Sequence, residues 1–543
     1  MTDATDWTRL GAGLTPRRLA RNARRAMSRV PSLRLGRVPE APALPVRDPW
    51  PGDAASGARI LKGELAWNGV VRRLTPGSWT DTGGHETLRA LAHGFSWLRD
   101  LRALGTDPAR ARARALVTDW IATPGLERLA ERPDVTGARI TAWLGHYDFF
   151  VASAEDGFRH RFMSRLIADA RMLAASLPAD ELDGRALTAI KGLVASAVAL
   201  PDHAAFLTRA LRFLPQEIAR QVLPDGAHGE RSPAVQLLAL QDLTEIRALL
   251  QASQTQPPAA LAGAIERMAP ALRALRHGDG GLMLFNGAKE GNPVLIDLVL
   301  TQAGRGGRAP AGLPDGGFHR LQAGRSVLVI DGGAPPPPGI DRLAHAGTLS
   351  FEFSVGRERL VVNCGGMPAS SGAWSEAARA TAAHSTLVIA DTNSSELKPG
   401  GLGRRPVVVD VQRQEANGAH RLEATHDGYV RLHGAVHRRC LYMAESGEDV
   451  RGEDAVEGPQ GLSYVVRFHL HPLVVPSLQQ DGETVVLRLA SGATWRFRAV
   501  GAAVSLEESI YLGGDQPRGS QQIVLTGAKE GHQVVKWALN KFG

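Results

Sequence analysis

The chain has 543 residues, of which 43% are apolar and 22% are charged, so it lies in the range of folded globular proteins and is long enough for roughly two to four domains. Its two cysteines, Cys364 and Cys440, exclude a disulfide framework and do not form a zinc-finger pattern. The net charge of +8 is carried almost wholly by arginine. We expect no nucleic-acid partner.

Residues 1–55 are predicted to form a basic N-terminal arm. Residues 1–40 hold nine arginines but only three acidic residues, and LTPRRLARNARRAMSRV predicts a basic helix. The arm favours an acidic surface, a polyanion or peripheral contact with a membrane; alternatively, its helix is solvated and packs on the body. The apolar residues that follow are too few and too interrupted for a cleavable signal peptide or a transmembrane helix. We therefore expect a cytoplasmic protein, with the cell envelope or periplasm as the alternative.

Residues 56–305 are predicted to form a helical domain. Apolar residues recur at helical spacing from about Glu86 to Arg276, and breakers such as Gly105 and Pro124 separate the segments. Successive helices with short breaks indicate stacked helical hairpins.

Residues 306–543 change to short β-branched or alternating runs bounded by glycine and proline, for example RSVLVIDGG, STLVIADT and ETVVLRLASG. Such runs are typical of antiparallel strands. Helices followed by strands predict an α+β chain of more than one domain, and the junction of two such domains is a common place for a ligand groove.

His384 is the first candidate for chemistry, because it lies in RATAAHSTLVI at the start of an apolar strand. Histidine has an ordinary pKa of about 6.5 and can remove a proton at neutral pH. The alternative is a histidine that only makes a structural hydrogen bond inside a sandwich.

Several phrases, in this order, resemble the heparinase II/III-like proteins. They extend from about Asp48 onward: DPWPGDA, HGFSWLRDLRALG, PDGAHGERSP, HGDGGLMLFNGA, HAGTLSFEF, AAHSTLVI, HDGYVRLHGAVHRR and FHLHP. The resemblance implies an incomplete (α/α) toroid followed by an antiparallel β-sandwich. It also implies a polysaccharide lyase that cleaves an acidic, uronic-acid-containing glycan by β-elimination and requires no cofactor.

The implied reaction needs groups that neutralise the uronate carboxylate, a base for the C5 proton and an acid for the leaving oxygen. His384 resembles the strand-borne catalytic histidine of the family, and Tyr429 resembles a sandwich tyrosine near the groove. A phenol can serve as base or acid when a neighbouring cation lowers its pKa. The alternative for Tyr429 is a core tyrosine with its hydroxyl bound to the backbone.

His228, Glu230 and Arg231 are predicted to bind substrate, because they precede a helix start at Ser232 and Pro233. Arg231 could bind a carboxylate through two parallel hydrogen bonds. The alternative is that this segment only ends one helix and starts the next.

Two features of active family members are missing. The segment DGRALTAIKGLVASAVALP has neither the asparagine nor the histidine expected on an inner toroid helix, and Ala234, Val235 and Gln236 stand where a catalytic tyrosine is usual. His146 and Tyr147, in WLGHYDFF, are a possible substitute pair for substrate binding; alternatively, they are core residues.

His469 and His471 form a possible metal site, since alternate residues of a strand share a face and two histidines can hold zinc if a carboxylate approaches. The alternative is a buried strand with hydrogen-bonded imidazoles. The resemblance thus predicts a lyase, and the missing toroid residues favour a non-catalytic glycan-binding or envelope-assembly protein. A hydrolase would need two carboxylates across the groove.

Overall fold

The computed structural model describes residues 23, 38–67, 69–178, 183–201, 204–304, 307–367, 372–527 and 533–542. Most of the predicted basic arm therefore lies outside the described residues. The chain divides into two compact units, of which the first comprises residues 1–221 and 239–265 and the second comprises residues 222–238 and 266–543.

The described part of the helical unit holds a series of helices and one hairpin. Its elements are α1 (Ala54–Leu61), β1 (Glu64–Trp67), β2 (Val70–Arg73), α2 (Glu86–Gly94), α3 (Leu98–Leu104), α4 (Asp107–Ala122), α5 (Pro133–Gly145), α6 (Tyr147–Phe150), α7 (Asp156–Ser176), α8 (Arg185–Ala199) and α9 (Ala204–Gln221). Two further helices, α10 (Pro233–Ala252) and α11 (Ala259–Ala274), contain residues of both units.

Glycine lets α5 and α8 approach closely. A Cβ on Gly192 would lie 2.3 Å from Cα of Gly137, so any larger residue there would force the helices apart. The core of this unit also contains aromatic residues, and the rings of Phe95, Trp120 and Trp143 meet edge to face at centroid distances of 5.4 to 5.7 Å. Such pairs stabilise a core beyond the burial of their area.

The second unit includes residues before 306, because loops and helix ends from that part of the chain pack on its first strands. Ala227, Leu275 and Phe285 share a buried cluster with Phe318 and Val329. The unit also contains α12 (Pro293–Ala303), α13 (Ala373–Arg379) and α14 (Val430–His433).

Two antiparallel sheets make up most of this unit. One has the order β11-β12-β13-β14-β21-β18-β17-β16, and the other β19-β20-β15-β7-β6-β5-β4-β3, with β8 paired to β15. The strands are β3 (Gly312–Leu313), β4 (Phe318–Ala323), β5 (Ser326–Asp331), β6 (Phe351–Val355), β7 (Glu358–Val362), β8 (Leu387–Ile389), β9 (Leu397–Lys398), β10 (Gly401–Leu402), β11 (Val409–Ala416), β12 (Ala419–His426), β13 (Val436–Met443), β14 (Asp449–Glu457), β15 (Tyr464–Leu470), β16 (Val475–Leu478), β17 (Thr484–Arg488), β18 (Thr494–Val500), β19 (Ala502–Tyr511), β20 (Arg518–Gly527) and β21 (Val534–Lys541).

The core of this unit lies between the two sheets. Phe351 of one sheet stacks on Trp537 of the other, with centroids 5.6 Å apart, and Leu387, Leu422 and Phe468 belong to the same buried cluster. Side chains of both sheets therefore fill one apolar layer. The predicted change from helices to an antiparallel β-sandwich is confirmed.

Among the described helices, none is long and apolar enough to cross a membrane.

Candidate functional site

His384 is hydrogen-bonded to a second histidine, His345. Nδ1 of His384 lies 2.8 Å from the carbonyl oxygen of Ala380, which can only accept, so Nδ1 carries the proton and Nε2 is an acceptor. Nε2 of His384 lies 3.1 Å from Nδ1 of His345. His345 therefore donates from Nδ1, and its own Nε2 carries the lone pair.

Burial keeps both rings neutral. His384 is 2% exposed and His345 is 5% exposed. Loss of hydration lowers the pKa of His384 to about 4 and holds the pKa of His345 well below 6.5. At neutral pH the lone pair on Nε2 of His345 can accept a proton, but it is a weak base.

Glycine and asparagine position the histidine pair. A Cβ on Gly347 would lie 2.7 Å from Cδ2 of His384, so glycine is needed for the loop to pass the ring. Asn286 accepts a hydrogen bond from the backbone of His345 at 3.0 Å and donates one to the carbonyl of Arg231 at 2.9 Å. Its φ of +46° is one that asparagine tolerates better than most residues. The loops carrying His345 and Arg231 are thus joined through one side chain.

Arg231 is held by the protein itself. Its guanidinium donates to the carbonyls of Gly316, Gly333 and Ala334 at 2.7 to 3.1 Å and forms an ion pair with Asp331. With 6% exposure, it could bind a substrate carboxylate only by giving up these partners. Its position does not support the predicted carboxylate contact.

His228 and Glu230 are buried in the same segment. The backbone N–H of Glu230 donates to Nδ1 of His228 at 3.2 Å, and the backbone N–H of His228 donates to the side chain of Gln236 at 2.6 Å. Their exposures are 2% for each residue. This segment is a tightly bonded turn before α10, which agrees with the structural alternative.

Tyr429 lies in the core of the sandwich. It is fully buried, and its hydroxyl donates to the carbonyl of Leu387 at 3.0 Å. Burial raises the pKa of this phenol well above 10. The hydroxyl supports β8, the strand that follows His384, and its position does not support the predicted role in proton transfer.

His146 and Tyr147 are core residues of the helical unit. Nδ1 of His146 donates to the carbonyl of Ala142 at 2.8 Å, and burial lowers its pKa to about 4. The hydroxyl of Tyr147 lies 3.4 Å from the carbonyl of Glu40. Both exposures are below 10%. These positions also agree with the structural alternative rather than with substrate binding.

The residues at the predicted metal pair do not fit zinc. The nitrogens of His469 lie 2.8 Å from the hydroxyl of Ser509 and 2.9 Å from the carbonyl of Ala382. His471 follows β15 and accepts a hydrogen bond from the backbone of Leu473. Within the described parts of the chain, no three histidine, cysteine or acidic side chains come together as a metal site.

Sequence reasoning missed His345 and Asn286. Both stand in phrases of the resemblance, HAGTLSFEF and HGDGGLMLFNGA, but each lies in a loop without periodic pattern. The short distance between His345 and His384 arises from residues 39 positions apart, which spacing alone does not reveal.

Residues 305–538 match the family described as heparinase II/III-like, C-terminal. FtsZ-localized protein C of Caulobacter vibrioides (strain NA1000 / CB15N) is 31% identical over 535 residues, covering 93% of this chain and 91% of that protein.

Two solved structures are similar in fold. A crystal structure of heparinase III superposes with a TM-score of 0.73 at 14% identity, covering 96% of this chain and 89% of that chain. Heparan sulfate lyase HepC from Pedobacter heparinus gives 0.57 at 16% identity, with 96% and 87% covered. The predicted toroid-and-sandwich fold is confirmed. On the family match and on the similarity along almost its whole length, the chain belongs to the heparinase II/III-like family.

Proposed function

We propose that this protein is a binding protein of the cell-division machinery, built on a lyase scaffold, and that its partner is FtsZ. The observation that carries the proposal is the similarity to FtsZ-localized protein C, at 31% identity over 93% of this chain. The lyase structures share its fold at 14 to 16% identity, which supports a common architecture without a common activity.

The tyrosines support a role without β-elimination. All five tyrosines of the sequence are described. Four are buried. The fifth, Tyr442 on β13, lies beside Arg451, whose guanidinium carbon is 6.0 Å from the ring centroid. Among the described residues, no tyrosine hydroxyl is hydrogen-bonded to the histidine pair. Arg231 is engaged by backbone carbonyls and by Asp331, so its guanidinium is not free to pair with a uronate carboxylate, as elimination would require.

Co-sedimentation with FtsZ filaments tests the proposal. Purified protein should pellet with FtsZ polymerised in GTP and remain in the supernatant with unpolymerised FtsZ in GDP or with no FtsZ. An equal amount in all three supernatants contradicts the proposed partnership.

A second candidate function is β-elimination of an acidic polysaccharide, favoured by the lone pair on Nε2 of His345. In this role His345 would take the C5 proton, and His384 would hold its ring in the correct tautomer. The assay is the ultraviolet absorbance of an unsaturated uronate after incubation with heparin, heparan sulfate or chondroitin sulfate. We expect no absorbance change; a change that His345→Gln abolishes would establish the lyase instead.

The basic arm adds a proposed contact with an anionic membrane surface, in keeping with a cytoplasmic location. Nine arginines in residues 1–40 can each contribute about 1 kcal/mol near anionic lipid. Flotation with anionic vesicles should carry the protein upward at low salt and release it at high salt, while neutral vesicles should not bind it.

A further inference from the structure

One sheet of the sandwich presents a row of arginines on the face that points away from the core. Across the neighbouring strands β12, β13, β14, β21 and β18, the directly paired residues are Arg421, Tyr442, Arg451, Ala538 and Arg498. Residues paired in this way share a face of the sheet. In each strand, a neighbour of the paired residue belongs to the buried cluster between the sheets. The five side chains, which we call the arginine row, therefore lie on the outer face.

The three guanidinium groups of the arginine row are open to solvent. The side chains of Arg421, Arg451 and Arg498 are 57%, 64% and 59% exposed, and each has one carboxylate outside the row, at N···O distances of 3.4, 2.6 and 3.9 Å. The row itself contains no acidic residue. A guanidinium has five N–H donors, of which a single carboxylate engages at most two in parallel. Each arginine thus keeps donors for a further carboxylate.

Apolar surface lies between these arginines. Tyr442 is 37% exposed and Val500 is 72% exposed. Both line a hollow of about 470 Å³ together with the methyl-bearing Ala538, and the charged side chains around this hollow are four basic ones and one acidic one. Positive charge and apolar contact in one place suit an acidic protein segment that also carries apolar side chains.

The spacing of the arginine row fits one backbone conformation of such a segment. Adjacent strands lie about 4.8 Å apart, so the arginines, which stand on alternate strands, are about 10 Å apart at their Cα atoms. A polyproline II helix has three residues per turn and brings every third side chain back to the same face after about 9 Å. In a β-strand the third side chain points to the opposite face. In an α-helix about seven residues are needed for the same distance.

We propose that the arginine row binds an acidic protein segment in the polyproline II conformation, with a carboxylate at every third residue. The segment crosses the strands from β12 to β18, its carboxylates pair with the three arginines, and its prolines pack on Tyr442 and Ala538. Aromatic side chains are the usual contact surface for this conformation. The proposal goes beyond the association with FtsZ, because it uses no property of FtsZ.

Three synthetic peptides of nine residues test charge and spacing. The first is Glu-Pro-Pro repeated three times, and the second has glutamine in place of each glutamate. The third, Glu-Pro-Glu-Pro-Glu-Pro-Pro-Pro-Pro, keeps the composition of the first but changes its spacing. Fluorescence anisotropy on the full chain should show saturable binding of the first and none of the second. The third should bind at least about fivefold more weakly, because successive carboxylates then point to different faces.

Two variants of the row test the contacts. Replacing Arg451 and Arg498 together by glutamine should weaken binding of the first peptide about tenfold or more, since two of the three charge pairs are lost. Tyr442→Thr should weaken it about threefold through loss of the ring, and threonine keeps the preference for a strand. An unchanged melting temperature will verify that both variants fold.

The matched control replaces Arg59 and Arg161 together by glutamine. Both belong to the helical unit, are 44% and 54% exposed, and pair only loosely with carboxylates at 3.9 and 3.8 Å. This control loses the same charge as the double variant of the row and should bind the first peptide as the parent protein does.

Three results would each overturn the proposal: no saturable binding of the first peptide, equal binding of either other peptide, or equal losses in the two double variants. Heparin tests a glycan as the occupant. If heparin binds more tightly than the first peptide and loses its affinity when Arg451 and Arg498 are replaced, the row binds a glycan and the assignment to a protein segment is wrong.

Discussion

The two units bury charge in different ways. In the helical unit, Nζ of Lys191 lies 2.7 Å from Asp242 and 3.1 Å from Glu245, and Trp50 donates to Glu245 at 2.5 Å. In the sandwich, Asp454 accepts from His437 at 2.8 Å, Arg439 at 2.7 Å and Trp537 at 3.0 Å. One cation thus serves two carboxylates in the first cluster, whereas one carboxylate receives three donors in the second.

The difference follows from the backbone around each cluster. Residues inside a helix satisfy their own carbonyls, so Lys191 on α8 bonds to side chains. Loops leave carbonyls free, and Arg439 donates to the carbonyls of Leu349 and Ser385 at 2.7 and 2.9 Å as well as to Asp454. Ser385 is the neighbour of His384. The sandwich cluster therefore supports the loop of the histidine pair, whereas the helical cluster joins helices.

The largest expected effect is that of Asp454→Asn. This change leaves the guanidinium of Arg439 buried without its carboxylate, and the free energy of unfolding should fall by about 3–5 kcal/mol. Arg451→Ala is the control, because Arg451 is 64% exposed in its pair with Asp449 and exposed pairs contribute at most about 1 kcal/mol. Urea unfolding measures both; equal losses would mean that the buried cluster contributes no more than a surface pair.

Acid should destabilise both units through their buried histidines. Burial lowers the pKa of His384 and of His146 to about 4, below the unfolded value of about 6.5. The unfolded chain therefore binds protons that the folded chain does not, and stability falls as the pH drops from 6.5 to 4, by up to about 3 kcal/mol for each histidine.

The free energy of unfolding, measured with denaturant at several pH values, should depend less on pH in His384→Gln and in His146→Gln, and by a similar amount in the two variants. If one variant keeps the full pH dependence of the parent protein, the histidine replaced in it has an ordinary pKa in the folded state.

Lys191→Met should lower the free energy of unfolding by about 2 kcal/mol, which is less than the loss expected for Asp454→Asn. Burial already raises the pKa of Glu245, so this carboxyl can take up a proton when the lysine is removed. The loss should shrink as the pH is lowered from 7 to 5, which urea titrations at the two pH values will measure. A loss that grows on acidification would contradict this compensation.

The smallest effect is expected for Gly347→Ala. The added methyl would press on the ring of His384 and should cost about 1–2 kcal/mol. The NMR signals of the His345 and His384 rings should shift. Gly125→Ala is the control for backbone strain, because Gly125 has a φ of +66° and no atom within 4 Å of an added Cβ. This change should not shift the ring signals of His345 and His384.

Sequence patterns predicted the order of helices and strands because periodicity reports which face of an element is buried. They also selected His384 as the first candidate for chemistry, and the structure places it in a hydrogen bond with His345. The same patterns treated Arg231 and Tyr429 as available for substrate. Whether an arginine binds a ligand or three carbonyls depends on how the loops at Gly316 and at Gly333 and Ala334 fold over it, and no local pattern encodes that contact.

By itself, the sequence determined the family, the change from helices to sandwich and the absence of the usual toroid asparagine and tyrosine, since these are properties of local pattern and residue identity. Only the tertiary structure decided which polar side chains remain available. It enclosed Tyr429 and Arg231 and joined His345 to His384 through a hydrogen bond from Nδ1 to Nε2. Hydrogen-bond satisfaction is settled between residues far apart in the chain, and so it depends on the fold as a whole.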